Sequence, residues 1–174
     1  MKNYILLFSV LIFSFSCSKK QEGKNEPVLI DTNQLEKRER KSDSLILKGV
    51  KEIPTEVFEK TWLTYLYVHG QDCDVIGVEC FAIREVPREI KNLKNLEELN
   101  LFLNYVDKLP KEILELKKLK ILNLSENPAF SDMETVGKMK WLEQFSCFGC
   151  HFSKEEIEYL QRQLPNCKIS ANAY

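Results

Sequence analysis

From residue 82 to residue 150 the apolar positions return every 23 residues. Leu96, Leu99, Leu101 and Asn104 are followed by Leu119, Leu122, Leu124 and Asn127, and these by Leu142, Phe145, Cys147 and Cys150. Placed one above the other, residues 82–104 and 105–127 are identical at 10 of 23 positions, where composition alone gives about one or two. In each unit two apolar residues flank a single polar one, as in Leu99-Asn100-Leu101. That alternation predicts a short strand with one face in a core. Ile90 and Leu93 belong to a returning arm, so a unit buries its leucines only by stacking on the next. Upstream, Leu63, Leu66, Val68 and Gln71 fit the same frame. Ile53-Pro54 precedes Val86-Pro87 by 33 residues, one unit plus a ten-residue insertion placed at 72–81.

Both ends of the stack have recognisable closures. Ser44-Leu45-Ile46-Leu47 reads as the first strand. Ser153-x-x-Glu156 is a capping box before Ile157, Leu160 and Leu164, one apolar stripe of a helix that Pro165 ends. Cys167-Lys168-Ile169 supplies the last strand, for about six parallel strands in all. The asparagine that closes each unit both donates and accepts, so it satisfies backbone groups where the chain turns off the strand. Gln71 and Cys150 hold that position as weaker substitutes.

The spacing L-x-x-L-x-L-x-x-N/C resembles the leucine-rich repeat, and Val86-Pro87 and Leu109-Pro110, each followed by Glu and Ile, match that family's turn segment. The resemblance covers roughly residues 43–170. It implies an α/β solenoid with parallel strands on a concave face, short helical or irregular convex segments and a C-terminal capping helix over 153–170. Proteins similar to it are generally interaction modules.

The N-terminus carries a different pattern. After Lys2, residues 4–13 are apolar except for Ser9. The run is too short for a bilayer, which takes about 20 apolar residues, and reads as the signal peptide of an exported chain, residues 1–16. Ser14-Phe15-Ser16 before Cys17 resembles the lipobox of bacterial lipoproteins, with Ser14 where that family usually has an aliphatic residue. The resemblance implies acylation of Cys17 and a membrane anchor in the cell envelope. An ordinary signal peptidase cutting at the same bond leaves a free Cys17 instead. Residues 18–41 are polar and rich in lysine, with too little apolar surface to offset their ordering entropy. With Cys17 they read as a flexible tether, 17–41, leaving 42–170 as the repeat domain.

Composition narrows the function. Of 174 residues, 44% are hydrophobic and 29% charged, the mix of a globular domain. Lys and Arg total 25 against 26 Asp and Glu, a net charge of −1 that offers no basic surplus for nucleic acid. The chain has two histidines, His69 and His151, no glycine-rich phosphate loop and no G-x-S-x-G elbow. Neither an enzyme nor a cofactor is expected, and a monomer is.

In the repeat frame, alternate strand positions face away from the core. They run Tyr65, Tyr67, His69, Gly70; Glu98, Asn100, Phe102, Leu103; Ile121, Asn123, Ser125, Glu126; and Gln144, Ser146, Phe148, Gly149. Candidate ligand contacts are Tyr65, Tyr67, His69, Asn100, Phe102, Leu103, Asn123 and Phe148, because exposed aromatics suit an interface. Ordinary cross-strand stacking is the competing explanation. Beside them, Cys73 and Cys80 of the insertion are expected to form a disulfide outside the cytoplasm, worth about 2.5 kcal/mol for so short a loop.

Cys147-Phe-Gly-Cys150-His151 matches the attachment signature of c-type haem. The repeat frame already accounts for both cysteines, one at a leucine position and one at the asparagine position. A zinc site from Cys147, Cys150, His151 and Cys167 is a further alternative. The main expectation is an envelope-anchored module that binds a protein or other envelope macromolecule through its concave face and the 72–81 loop. The rival is a structural envelope lipoprotein with no dedicated ligand.

Overall fold

A computed structural model describes residues 43–71 and 81–172. Six strands form one sheet in chain order: β1 (Ser44–Lys48), β2 (Tyr65–His69), β3 (Glu98–Asn100), β4 (Ile121–Asn123), β5 (Gln144–Cys147) and β6 (Lys168–Ala171). Every neighbouring pair is parallel, in the register Leu66, Leu99, Leu122, Phe145, Ile169. Each strand is followed by a crossover that returns to the same edge, as the expected leucine-rich-repeat solenoid requires. β3 and β4 are three residues long, shorter than the five-residue strands β1 and β2. β6 runs one residue past the expected boundary at 170.

The core lies along one side of the sheet. Leu101 and Leu124 are fully buried and Cys147 is 1% exposed, and they line up with Leu99, Leu122 and Phe145. Burying one leucine contributes about 2 kcal/mol, so successive coils are held mainly by this shared stripe. The returning arms are single 3-10 turns at Thr55–Glu59, Arg88–Asn92 and Lys111–Glu115. Pro54, Pro87 and Pro110 stand immediately before them, at φ −57°, −60° and −65°. Their rings preset this extended entry, and their carbonyls accept from Val57, Ile90 and Ile113. Those three side chains then point into the core.

Two α-helices replace the 3-10 turns in the last coils, α1 (Met133–Gly137) and α2 (Lys154–Gln163). Asp132 caps α1 by accepting from the Thr135 N–H at 3.2 Å. The capping box of α2 is formed in both directions, Ser153 N–H to Glu156 Oε2 at 2.8 Å and Glu156 N–H to Ser153 Oγ at 3.2 Å. Leu160 and Leu164 are buried, Ile157 is half-buried, and α2 packs on α1 to close the stack.

The closing asparagines form a buried ladder. Asn104 Nδ2 donates to the carbonyls of Val68, Leu101 and Phe102, and its Oδ1 accepts from Ile83 N–H at 3.0 Å. Asn127 repeats the set one coil later, with Leu101, Leu124 and Ser125 carbonyls and Val106 N–H. Of the carbonyls the asparagines serve, Cys150 keeps one, its Sγ donating to the Leu124 carbonyl at 3.0 Å. The residue before each rung, Leu103, Glu126 and Gly149, is left-handed at φ 58°, 56° and 74°.

Candidate recognition surface

Strand alternation places Ser44, Ile46 and Lys48 of β1 beside Tyr65, Tyr67 and His69 of β2 on the face away from the core. Glu98 and Asn100 of β3 sit next to Tyr65 and Tyr67. The rings form one continuous row. Centroids are 6.4 Å apart from Tyr65 to Tyr67, 5.7 Å from Tyr67 to His69 and 5.5 Å from His69 to Phe102, the last pair stacked at 13°. Ile46, alongside Tyr67, is 51% exposed.

Each end of the row opens into a shallow hollow. Near the strand starts, Thr64, Tyr65, Glu97, Glu98, Lys120 and Ile121 line about 290 Å³. At the strand ends, Lys48, Gly49, His69, Gly70, Gln71 and Leu103 line about 450 Å³. The 72–81 insertion leaves from this second end, where the Gln71 N–H donates to the Phe81 carbonyl at 2.8 Å. Partial burial raises the Glu98 carboxyl above its usual range. Burial, then Glu98 and Tyr67, raises the Tyr65 phenol. Burial, then Lys48, lowers the His69 imidazole.

The other half of the face is polar and largely self-satisfied. Asn100 Oδ1 accepts from the Phe102 N–H and Asn123 Oδ1 from the Ser125 N–H, at 3.1 and 2.9 Å. Asn123 Nδ2 also donates to Asn100 Oδ1 at 3.3 Å. Ser125 departs from the expected outward row. It is 5% exposed and its hydroxyl accepts from the Phe148 N–H at 3.2 Å. β4 has ended at Asn123, and beyond a strand's end alternation no longer assigns faces. Phe148 is 43% exposed but stands two coils from Phe102, outside the ring row.

The structure therefore brings Tyr65, Tyr67, His69 and Phe102 together, sets Leu103 in the adjoining hollow and puts Asn100 and Asn123 alongside. Ile46 and Lys48 join them without having been singled out in the sequence. The alternation of Ser44–Lys48 was the available signal. Cys17, Cys73 and Cys80 lie outside the described residues, and with them the anchor and the expected disulfide.

Cys147 and Cys150 each have 1% exposure and are free thiols, as is buried Cys167. Their hydrogen bond and burial push Cys147 far above the ordinary thiol range, and the same bond lowers Cys150. A thioether-bound haem needs both sulfurs on an accessible side, whereas here both turn into the core. His151 points elsewhere, its Nδ1 3.3 Å from the Pro128 carbonyl. Among the described residues no group of three or more His, Cys, Asp or Glu side chains is placed to hold a metal ion, so the four-residue zinc set is not assembled. No helix among them is long and apolar enough to cross a membrane.

No family model and no curated protein matches the chain. Among solved structures, it is similar to a leucine-rich-repeat protein of Leptospira interrogans, at 25% identity and a TM-score of 0.48. The match covers 73% of this chain and 34% of that one, so the chain spans about a third of that protein's length. By its own strand order, register and asparagine ladder, the described domain is a leucine-rich-repeat solenoid.

Proposed function

We propose that this chain is an envelope-anchored interaction module of the 23-residue leucine-rich-repeat type, held by acylated Cys17 and a tether, that binds a partner through its concave face. The observation that carries the reading is the ring row Tyr65, Tyr67, His69 and Phe102, flanked by exposed Ile46, on the side of the sheet that the core does not use. Aromatics there bury much area for little lost rotamer freedom. The export pattern of residues 1–16 and the Ser14-Phe15-Ser16-Cys17 sequence support the anchor. The Cys73–Cys80 disulfide would staple the insertion beside the His69 end. Six strands at ~4.8 Å and about five residues at ~3.3 Å give a face of roughly 400 Å², half the ~800 Å² per partner of a standard interface. The contact is accordingly with a short segment.

The test pairs Tyr67→Ala and Phe102→Ala with retrieval of bound partners from envelope extracts. Loss of one identified partner in both variants, with the melting temperature unchanged, supports recognition. A lowered melting temperature with partners retained supports the second reading, a scaffold whose rings stack on each other for stability. That reading draws on the His69–Phe102 stack, which already satisfies both rings within the chain. Cys17→Ala should move the protein from the membrane fraction to the soluble one.

A further inference from the structure

Resting on that reading of the concave face, we infer that its occupant is an extended peptide segment of about five residues, with a cationic group at the Glu98 end and a carboxylate at the Lys48 end. Glu98 pairs in register with Tyr65 at the start of β2, and Lys48 pairs with His69 at its end. Four strand steps separate the two levels, about 13 Å. Some lysines and glutamates elsewhere are paired: Lys120 with Glu97 at 3.3 Å, Lys94 with Glu115 at 2.7 Å, Lys138 with Glu134 at 2.6 Å. Glu98 and Lys48 form no ion pair among the described residues. Glu97 and Lys120 line the hollow beside Glu98 but pair with each other at 3.3 Å, which leaves Glu98 as the net charge at that end, and Glu126 and Lys168 belong to the β4–β6 half, away from the rings.

The spacing of the rings favours a peptide. Centroids 5.5–6.4 Å apart nearly match the ~6.6 Å between alternate side chains of an extended chain, so such side chains fall between successive rings. A neutral sugar has no use for opposite charges at the two ends. A folded partner needs more area than the face has.

The probe is the terminally blocked pentapeptide Lys-Ala-Leu-Ala-Glu, titrated into the full chain and followed by the NMR signals of the tyrosine rings. Controls carry lysine at both ends, glutamate at both ends, or are replaced by cellotetraose. The mixed-charge peptide should bind at least ten-fold more tightly than either like-charged one. Glu98→Lys should turn the preference to the Glu/Glu peptide, and Lys48→Glu to the Lys/Lys peptide. Equal binding of the three peptides, no binding of any, or preference for cellotetraose overturns the inference. If the partner retrieved above still depends on Tyr67 and Phe102 while the charge swaps change nothing, the surface stands and the charge order falls. If it depends on neither ring, the surface reading itself falls.

Discussion

The imidazole of His69 lies flat on the ring of Phe102, with 5.5 Å between centroids and 13° between planes. One ring ends β2 and the other follows β3, so the stack ties two coils together across a 33-residue step of sequence. Aromatic pairs contribute about 0.5–1.5 kcal/mol beyond the area they bury. The same contact fixes the orientation of the ring row at the Lys48 end of the face.

This environment makes stability depend on pH in a definite direction. Burial, then Lys48, lowers the His69 pKa, so the folded chain takes up the proton less readily than the unfolded one. The His69 contribution is complete above the unfolded value, about pH 6.5, and is lost as pH falls through the lower folded value. Melting temperatures measured from pH 7.5 down to 5 should fall more steeply for the native chain than for His69→Phe, which keeps a ring and cannot titrate. Parallel curves would refute this.

Asn127 should matter more than Cys150, its counterpart one coil later. Asn127 satisfies Val106 N–H and the carbonyls of Leu101, Leu124 and Ser125, while of the backbone carbonyls Cys150 serves that of Leu124. Removing a buried partner leaves the desolvation penalty of each orphaned group. Asn127→Ala is expected to cost about 3 kcal/mol and Cys150→Ala about 1 kcal/mol. Urea midpoints with unchanged slopes would read the difference.

The parts legible in the sequence are those that recur with equal burial in every coil. Leu101, Leu124 and Cys147 meet the same surroundings, so their spacing exposes the strand, the core side and the asparagine rung at once. β1 is legible as a strand at Ser44–Leu47 but lies outside the 23-residue frame, its register to β2 stepping by 21 residues from Ser44 to Tyr65. The repeat frame therefore does not reach Ile46 and Lys48, which share the outward face with the ring row. Ser125 was misplaced because alternation holds only while the backbone is extended. The left-handed conformations of Leu103 and Glu126 were invisible for another reason. Neither is a glycine, and the ladder bonds at Asn104 and Asn127, not residue type, hold them there.

Gly70 should tolerate no side chain at all. A Cβ built there would lie 1.7 Å from the Leu103 carbonyl oxygen and 2.8 Å from its carbon, both backbone atoms of the next coil. Relief requires the two coils to separate, which breaks the Gly70 N–H bond to the Phe102 carbonyl. At Gly149 the obstacle is the Glu126 carboxylate, a side chain that can swing away, together with φ +74°. Gly70→Ala is expected to cost more than about 3 kcal/mol or to prevent folding, against about 1–2 kcal/mol for Gly149→Ala. Equal midpoints for the two variants would contradict the close approach.

The thiols divide into a buried set and the proposed Cys73–Cys80 pair. Cys147, Cys150 and Cys167 are all buried, and burial pushes the Cys167 thiol up to about 11. At pH 7.5 about one molecule in three thousand then carries the Cys167 thiolate, the form that reacts. Cys147 is held further still from ionising by its bond to Cys150 and its burial. Iodoacetamide applied to the native chain without reductant should leave these three unmodified for hours and label them at once in urea. Cys73 and Cys80 should resist the reagent even in urea and become reactive only after reduction, because a disulfide has no thiolate to offer. Peptide masses after digestion separate the cases: labelling of both insertion cysteines without reductant removes the proposed staple, and rapid native labelling of Cys147 contradicts its burial at the end of β5.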